Sequence, residues 1–287
     1  MMEIPRTDWD LIHKWEWFRR GQWLAKPRHG TMEDDAVSHA FASLAQLVKA
    51  QVLLDSACGF GQRVFSLARM GLNILGSDIS AVAIEGARQL AANNNVATTF
   101  FVAPWTEIAR TAPHRFDAIL CTGLYLTPAW DAIGAAMSGL YQALRPGGFL
   151  MFKGVGSDAP VDEGKRQLIA EWDNHPHQQA EWLWREGDCT CGKMLFKHRA
   201  ADYLDYEFIY LVAERDTVRL ERTTMRRPFY WTWKHWSEAA RRAGFCHLET
   251  RSCELPNGGE IAVNVAWRSR EGEVKVDEAG RNAPYSL

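Results

Sequence analysis

Long apolar runs are missing from the 287-residue sequence. No segment approaches the roughly 18 consecutive apolar residues that a membrane-spanning helix needs. Residues 1–10 carry acids and a proline, where a secretory signal would need an apolar stretch. We therefore expect a cytoplasmic protein without a membrane partner.

An excess of charge of one sign is also missing. The 33 lysines and arginines nearly balance the 35 aspartates and glutamates, and the isoelectric point is near 6.5. Domains that bind nucleic acid carry a basic surface and a high isoelectric point. The composition therefore argues against a nucleic acid partner.

Cysteine is scarce and poorly spaced for a metal. Of the six cysteines, only Cys189 and Cys191 stand close together, without a second pair or histidines at the spacing of a zinc site. His175 and His177 lack acids at suitable spacing and are typical of a polar loop. We expect reduced thiols and no bound metal.

Tryptophan, in contrast, is abundant, with 13 residues. Many of them lie outside the strand-like core, close to the start of the chain and again after residue 157. Large rings are costly to leave in water. We therefore expect residues 1–50 to form an amphipathic helical lid, and residues 156–232 to form an insertion that covers the substrate side of the protein.

Between residues 51 and 155, short apolar runs alternate with helix-compatible segments. This alternation is typical of a parallel sheet that is buried on both faces, and its crossovers are expected to be right-handed. The predicted strands are 52–55, 73–78, 99–103, 116–121 and 149–153. The predicted helices between them are 64–70, 81–92 and 132–144.

The later part of the chain predicts an antiparallel insertion and a closing unit. Residues 158–187 are predicted to be mostly helical, followed by antiparallel strands at 193–199, 204–214 and 217–225. Residues 233–270 are predicted to contain a helix at 235–243 and a hairpin of strands at 247–254 and 260–267. Residues 271–287 form a tail.

The expected fold is therefore one α/β domain over residues 1–287. It is a Rossmann-like, doubly wound, mostly parallel seven-stranded sheet with an antiparallel-strand insertion and an N-terminal helical lid.

The turn after the first predicted strand carries the sharpest motif. The strand ends at Asp55, and Gly59 and Gly61 let the backbone turn tightly and approach a ligand. A dinucleotide fingerprint would need a small residue where Val64 stands, which disfavours a nicotinamide or flavin dehydrogenase. Asp78 ends the next strand, where a carboxylate can accept both hydroxyls of a ribose. Asp55, at the turn after the first strand, suits a positively charged ligand better than a pyrophosphate.

These stretches resemble the motifs of class I S-adenosylmethionine-dependent methyltransferases. The segment 52–61 resembles motif I, and 77–80 resembles the acidic end of the second strand. The segments 116–120 and 144–149 resemble the fourth strand and the turn before the fifth. The layout after residue 156 is similar to that of glycine N-methyltransferase-like members. The resemblance implies S-adenosylmethionine as cofactor and S-adenosylhomocysteine as product.

The resemblance also implies which residues contact the cofactor. The residues near its methionine part are Asp55, Cys58, Gly59 and Gly61. Those near its ribose, its adenine and the transferred methyl are Asp78, Ile79, Pro104, Trp105, Thr122 and Gly123. Because Pro104 replaces the Asp or Asn that usually binds the adenine amine, Trp105 or a backbone group must contribute there.

Segments outside the core supply the candidates for closing the site. Trp9, Trp17 and His29 precede the first strand, where related enzymes close over the cofactor, and they are candidates for substrate contact. Arg28 is a candidate to pair with the cofactor carboxylate. A solvent-exposed arginine is the alternative.

The acceptor side has fewer signals. Tyr125 follows the fourth strand, where its hydroxyl can bind a nucleophile and its ring can face a cationic methyl. A tyrosine that only packs is the alternative. Arg226 and Arg227 can bind an acidic acceptor or form a surface pair, and Tyr230 beside them is a further candidate for substrate contact. Methyl transfer from a sulfonium needs alignment and exclusion of water, so the lack of a catalytic triad is no objection.

The leading hypothesis is a methyltransferase that acts on a small molecule. A nucleic acid methyltransferase is disfavoured by the charge and by the segment 121–125, which lacks an Asn/Asp-Pro-Pro-aromatic motif. Internal alkylation that uses the same sulfonium stays open, as does a degenerate domain that no longer binds. The acceptor is not specified, and a homo-oligomer is possible.

Overall fold

The computed structural model describes most of the chain. Its described residues are 7–24, 32–112, 116–127, 129–153, 178–200, 203–228, 233–254 and 260–270. Arg28, His29 and Tyr230, which the sequence proposes as site residues, lie outside these ranges. Trp17 lies within a described helix, but its side chain is outside what the structure describes.

The described residues form the following strands and helices. The strands are β1 Leu53–Asp55, β2 Ile74–Asp78, β3 Phe100–Val102, β4 Phe116–Cys121, β5 Leu144–Lys153, β6 Gln178–Glu186, β7 Cys189–Arg199, β8 Tyr203–Glu214, β9 Thr217–Pro228, β10 His247–Glu254 and β11 Glu260–Trp267. The helices are α1 Trp9–Leu24, α2 Met32–Leu47, α3 Gln62–Arg69, α4 Ala81–Asn93, α5 Ile108–Thr111, α6 Trp130–Ala143 and α7 Trp233–Ala243.

A seven-stranded sheet forms the centre of the molecule, with the order β10-β11-β5-β4-β1-β2-β3. Strands β1 to β5 pair in parallel, and β11 joins β5 antiparallel. All residues of β1 and β2 are buried, as expected for strands covered on both faces. The predicted Rossmann-like, mostly parallel fold is confirmed.

Helices cover both faces of this sheet. Apolar side chains of α2, α3 and α4, such as Phe41, Val64 and Ile84, form one core with the sheet. Those of α6 and α7, such as Met137 and Trp236, form the other. This three-layer arrangement leaves the ends of the strands as the place where loops from several strands meet.

Strand β5 is longer than predicted. It begins at Leu144, which pairs with Phe116, and its register to β4 shifts before Ala118 pairs with Phe149. The Pro-Gly-Gly segment therefore lies within an irregular strand instead of in a separate turn. Gly147 has a φ of +80°, a backbone conformation that favours glycine.

A second, antiparallel sheet has the order β6-β7-β8-β9. The predicted helical character of residues 158–187 is wrong for Gln178–Glu186, which is strand β6. This segment is rich in good helix formers, but pairing with β7 and burial of Trp182 against the sheet override that propensity. Residues 154–177 lie outside the described ranges.

Helix α1 packs against the second sheet. Trp15 is buried, and its ring lies 6.3 Å from that of Tyr210. The Trp15 indole N–H donates to Glu221 at 2.8 Å, and Lys193 of β7 forms an ion pair with Glu16 at 3.4 Å. One face of the second sheet is thus covered by the N-terminal helix.

Candidate functional site

A cavity of about 490 Å³ lies at the carboxyl ends of β1 to β4. This volume is within the range of pockets that bind small molecules, roughly 300–1000 Å³. The residues that line it come from the loops after these strands, from α1 and from α6. They are Trp9, His13, Ser56, Ala57, Gly59, Asp78, Ile79, Ala103, Pro104, Trp105, Thr106, Thr122, Gly123, Tyr125, Leu126, Thr127, Ala132, Ala135 and Ala136.

Asp78 lies at the end of β2 with both carboxylate oxygens aligned by backbone amides. Gly59 N–H donates to Oδ2 at 2.9 Å, and Ser80 N–H donates to Oδ1 at 3.0 Å. A carboxylate offers about four acceptor positions in total, so each oxygen keeps one for a further donor. The side-chain cap of α4 is Ser80, which accepts from Ala83 N–H, and Asp78 does not serve as the N-cap.

The two glycines of the β1–α3 turn have different surroundings. Gly59 has a φ of +52°, and a Cβ added there meets no atom within 4 Å. Gly61 has a φ of +83°, and a Cβ there would lie 2.8 Å from the ring of Phe100. Gly59 therefore borders the cavity, whereas Gly61 lets α3 approach the sheet closely.

Asp55 is fully buried and does not line the described cavity. Arg63 of α3 pairs with it at 3.3 Å and also donates to Thr122 Oγ1 at 3.0 Å. Burial raises the pKa of the Asp55 carboxyl, and the charge of Arg63 opposes that rise. Through Arg63, the Asp55 side chain is linked to Thr122 in the turn after β4. The contact of Asp55 with the methionine part of the cofactor stays a prediction.

The buried thiols near the site are not activated nucleophiles. Cys58, predicted to lie near the methionine part, is buried and does not line the cavity. Burial raises the pKa of the Cys58 thiol well above its usual value. Burial likewise raises the pKa of Cys121, to about 12. Both side chains fill space beneath the turns.

Trp105 contributes its ring to the cavity but not its N–H. The indole N–H donates to the carbonyl of Ser56 at 2.8 Å, which ties the turn after β3 to the turn after β1. Helix α6 approaches the same place closely, because a Cβ on Gly139 would lie 2.2 Å from the Trp105 carbonyl oxygen. The carbonyl of Pro104 accepts from Glu107 N–H at 2.8 Å.

Helix α1 supplies two wall residues, of which Trp9 was predicted as a site residue and His13 was not. Trp9 lines the cavity, as does His13, whose ring meets Phe60 edge-on at 5.3 Å between ring centres. Asp10 accepts from Ser80 Oγ at 2.7 Å and from Val82 N–H at 3.1 Å. This residue therefore attaches α1 to the first turn of α4, beside Asp78.

Tyr125 lies on the 3-10 turn Leu124–Leu126 after β4 and lines the cavity. The guanidinium of Arg227, at the end of β9, lies over its ring at 5.5 Å from the ring centre. Arg226 points elsewhere and forms two hydrogen bonds of 2.8 Å with Asp205. The second sheet thus contacts the cavity wall through Arg227, which lies against Tyr125 but does not itself line the cavity.

The structure brings together at the cavity most of the predicted residues that it describes. These are Trp9, Gly59, Asp78, Ile79, Pro104, Trp105, Thr122, Gly123 and Tyr125. Asp55, Cys58 and Gly61 lie beneath the turn instead. Arg63 was missed, although a buried acid at a strand end is a signal for a nearby cation.

Within the described ranges, no group of His, Cys, Asp or Glu side chains is arranged to hold a metal ion. None of the helices in these ranges is both long and apolar enough to cross a membrane.

Comparison with known proteins defines the class of the central part. Residues 53–148 match the family model described as a methyltransferase domain. They include the turn after β1, the acid at the end of β2 and the turn after β4. This part is a methyltransferase domain of the S-adenosylmethionine-dependent class, and S-adenosylmethionine is its cofactor.

One curated relative is the ubiquinone biosynthesis O-methyltransferase of Alkalilimnicola ehrlichii. It is 29% identical over 100 residues, which are 35% of this chain and 40% of the relative. The match thus spans less than half of that relative's length.

Solved structures match over most of the chain at low identity. A sugar N-methyltransferase from Streptoalloteichus sp. is 17% identical with a TM-score of 0.62, covering 94% of this chain and 98% of its own. An amino pentose methyltransferase from Micromonospora echinaspora with bound S-adenosylmethionine is 17% identical with a TM-score of 0.53, covering 90% and 97%. At these identities the likeness establishes the fold. The similarity to glycine N-methyltransferase-like members stays a prediction.

Proposed function

We propose that this chain transfers the methyl group of S-adenosylmethionine to a small-molecule acceptor by in-line displacement. The observation that carries the proposal is one cavity with Asp78 on its wall at the end of β2 and Tyr125 on its wall after β4. The acid proposed to bind the ribose and the residue proposed to contact the acceptor therefore line the same cavity. Relatives described as sugar, amino pentose and ubiquinone-pathway methyltransferases support a small acceptor.

The residues present fit an adenosyl ligand. Asp78 keeps acceptor capacity for two ribose hydroxyls while two backbone amides orient it. Gly59 leaves open space where a side chain would project toward the ligand. Ile79 and Trp105 offer apolar surfaces for the adenine ring.

The cofactor supplies a methyl group on a positively charged sulfur, and attack by an acceptor lone pair breaks the carbon–sulfur bond and leaves its electron pair on sulfur. The protein's task is to align the acceptor and to keep water out. Tyr125 accepts or donates a hydrogen bond beside the attacking atom. Ala132, Ala135 and Ala136 of α6 form an apolar wall.

The Asp55–Arg63–Thr122 contacts position the two turns that flank the reaction. Thr122 and Gly123 follow β4, and Gly59 follows β1. Because Arg63 binds both Asp55 and Thr122, these turns keep a fixed separation. Arg63 is therefore a positioning residue.

The test is to incubate the protein with S-adenosylmethionine and a panel of amino sugars, amines and phenols, and to identify the products by mass. We expect S-adenosylhomocysteine together with an acceptor that is heavier by one methylene unit. Methylthioadenosine as the product would instead support internal alkylation. Failure of S-adenosylhomocysteine to bind in calorimetry would contradict the proposal regardless of the acceptors chosen.

A further inference from the structure

Arg226 and Arg227 are neighbours at the end of β9 with different surroundings. Arg226 forms two hydrogen bonds with Asp205, at 2.8 Å each, and its guanidinium lies 3.7 Å from the centre of the Tyr203 ring. Only 9% of its side chain is exposed. The charge of Arg226 is therefore neutralised within the second sheet.

Arg227 points to the opposite face, because successive side chains of a strand alternate between the faces. Its guanidinium lies over Tyr125, on the turn that lines the cavity. No ion pair between Arg227 and an acid is found in the described part of the chain. A half-buried cation thus lies next to the residue proposed to contact the acceptor.

The remaining cavity wall contains little charge. Asp78 is the only carboxylate among the described lining residues, and its oxygens face Gly59 and Ser80 on the cofactor side. The lining residues around Tyr125 are alanines, Leu126 and Thr127, which are uncharged. An anionic group at this end would have Arg227 as its counter-charge, whereas a cationic group would be repelled by Arg227.

We propose that the acceptor carries a carboxylate or phosphate group and that Arg227 binds this group at the acceptor end of the cavity. The proposal rests on the proposed methyl transfer and deepens it by naming the substrate class. A planar guanidinium suits either anion, because it presents parallel N–H donors to two oxygens. The position of Arg227 over the Tyr125 ring keeps its guanidinium close to the proposed acceptor.

The test uses simple probes on the full chain saturated with S-adenosylhomocysteine. Benzoate and phenyl phosphate are titrated by calorimetry, with benzyl alcohol as the neutral counterpart. The variants are Arg227→Gln, Arg227→Lys and the control Arg222→Gln. Arg222 lies on the same strand, but on the opposite face, with 78% of its side chain exposed.

We expect at least one anion to bind the wild type and Arg222→Gln with similar affinity. Binding to Arg227→Gln should be about ten- to a hundredfold weaker, because hydrogen bonds between charged groups are lost. The anion affinity of Arg227→Lys should lie between those of the wild type and Arg227→Gln, because lysine keeps the positive charge but lacks the parallel N–H donors of the guanidinium. The stronger of the two anions identifies the preferred group.

Several results would overturn the inference. They are equal anion affinity in the wild type and Arg227→Gln, no preference over benzyl alcohol, or no anion binding at all. If S-adenosylhomocysteine itself does not bind, the proposed function falls and this inference falls with it. If S-adenosylhomocysteine binds and the anion preference is missing, this inference alone is wrong.

Discussion

Replacing Asp78 by asparagine keeps the size of the side chain and exchanges one acceptor oxygen for an amide donor. In the wild type each oxygen accepts one backbone N–H, at 2.9 Å from Gly59 and 3.0 Å from Ser80, and keeps capacity for a ribose hydroxyl. The asparagine side chain accepts through its single oxygen only. One charge-assisted hydrogen bond to a ribose hydroxyl is therefore lost, and the other is weakened because its acceptor is now neutral. We estimate a loss of about 2–4 kcal/mol in cofactor binding, or roughly 30- to 1000-fold in affinity.

The chain offers a matched control for this substitution. Asp117 also accepts two backbone N–H groups, from Gln51 and Val52 at 2.9 Å each, and it pairs with Arg145. It lies at the start of β4, at the amino-terminal ends of the parallel strands, whereas the cavity lies at their carboxyl ends. Asp117→Asn should therefore cost about 1–3 kcal/mol of unfolding free energy, as Asp78→Asn does, without weakening cofactor binding.

The assay is calorimetry with S-adenosylhomocysteine, accompanied by urea unfolding of both variants. Asp78→Asn should lose both affinity and stability, and Asp117→Asn only stability. An affinity of Asp78→Asn for S-adenosylhomocysteine equal to that of the wild type would refute the assignment of Asp78 to the ribose. An equal loss of affinity in both variants would also contradict it, because the loss would then follow from reduced stability alone.

The remaining predictions concern other residues of the same site. Tyr125→Phe should lower turnover about tenfold with unchanged affinity for S-adenosylhomocysteine, because one hydrogen bond to the acceptor is lost; unchanged kinetics would remove that role. Gly61→Ala should cost about 2–4 kcal/mol in urea unfolding, since φ is +83° and the new Cβ lies 2.8 Å from an aromatic ring of β3. Gly59→Ala should cost only about 1–2 kcal/mol, because its Cβ enters open space; equal losses in the two alanine variants would contradict the packing argument. Arg63→Met removes the charge that opposes the burial-raised pKa of Asp55, so that pKa should rise further. Ionisation of this carboxyl then costs more in the folded state. The stability lost relative to the wild type should therefore be small while the pH is below the raised pKa of Asp55 in the folded wild type, and it should grow as the pH rises above that pKa. A loss that is independent of pH in urea unfolding between pH 4 and pH 7 would rule this out.

The fold was predictable where one local pattern determines the element. The boundaries of β4, β10 and β11 match their predictions, because β4 is an apolar run and the Pro-Asn-Gly-Gly sequence at 256–259 marks where β10 ends and β11 begins. Strand β6 was not predictable, because its sequence favours a helix and only pairing with β7 specifies a strand.

The site was predictable where it depends on strand ends. Asp78 and Tyr125 each follow a buried strand, and the carboxyl ends of parallel strands meet at one edge. The contacts of Asp10 with Ser80 and of Arg227 with Tyr125 could not be inferred, because they join segments about 70 or more residues apart through the docking of α1 and β9. Such contacts leave no periodic signal in the sequence.

Helix α1 has two attachments, through Asp10 to the first turn of α4 and through Trp15 to the second sheet. Trp9 and His13, on the same helix, line the cavity. If the cofactor and the acceptor bind in this cavity as proposed, they share α1 as a common wall. A shift of α1 that changes the space for one ligand would then also change the space for the other, and binding of each would affect the affinity for its partner.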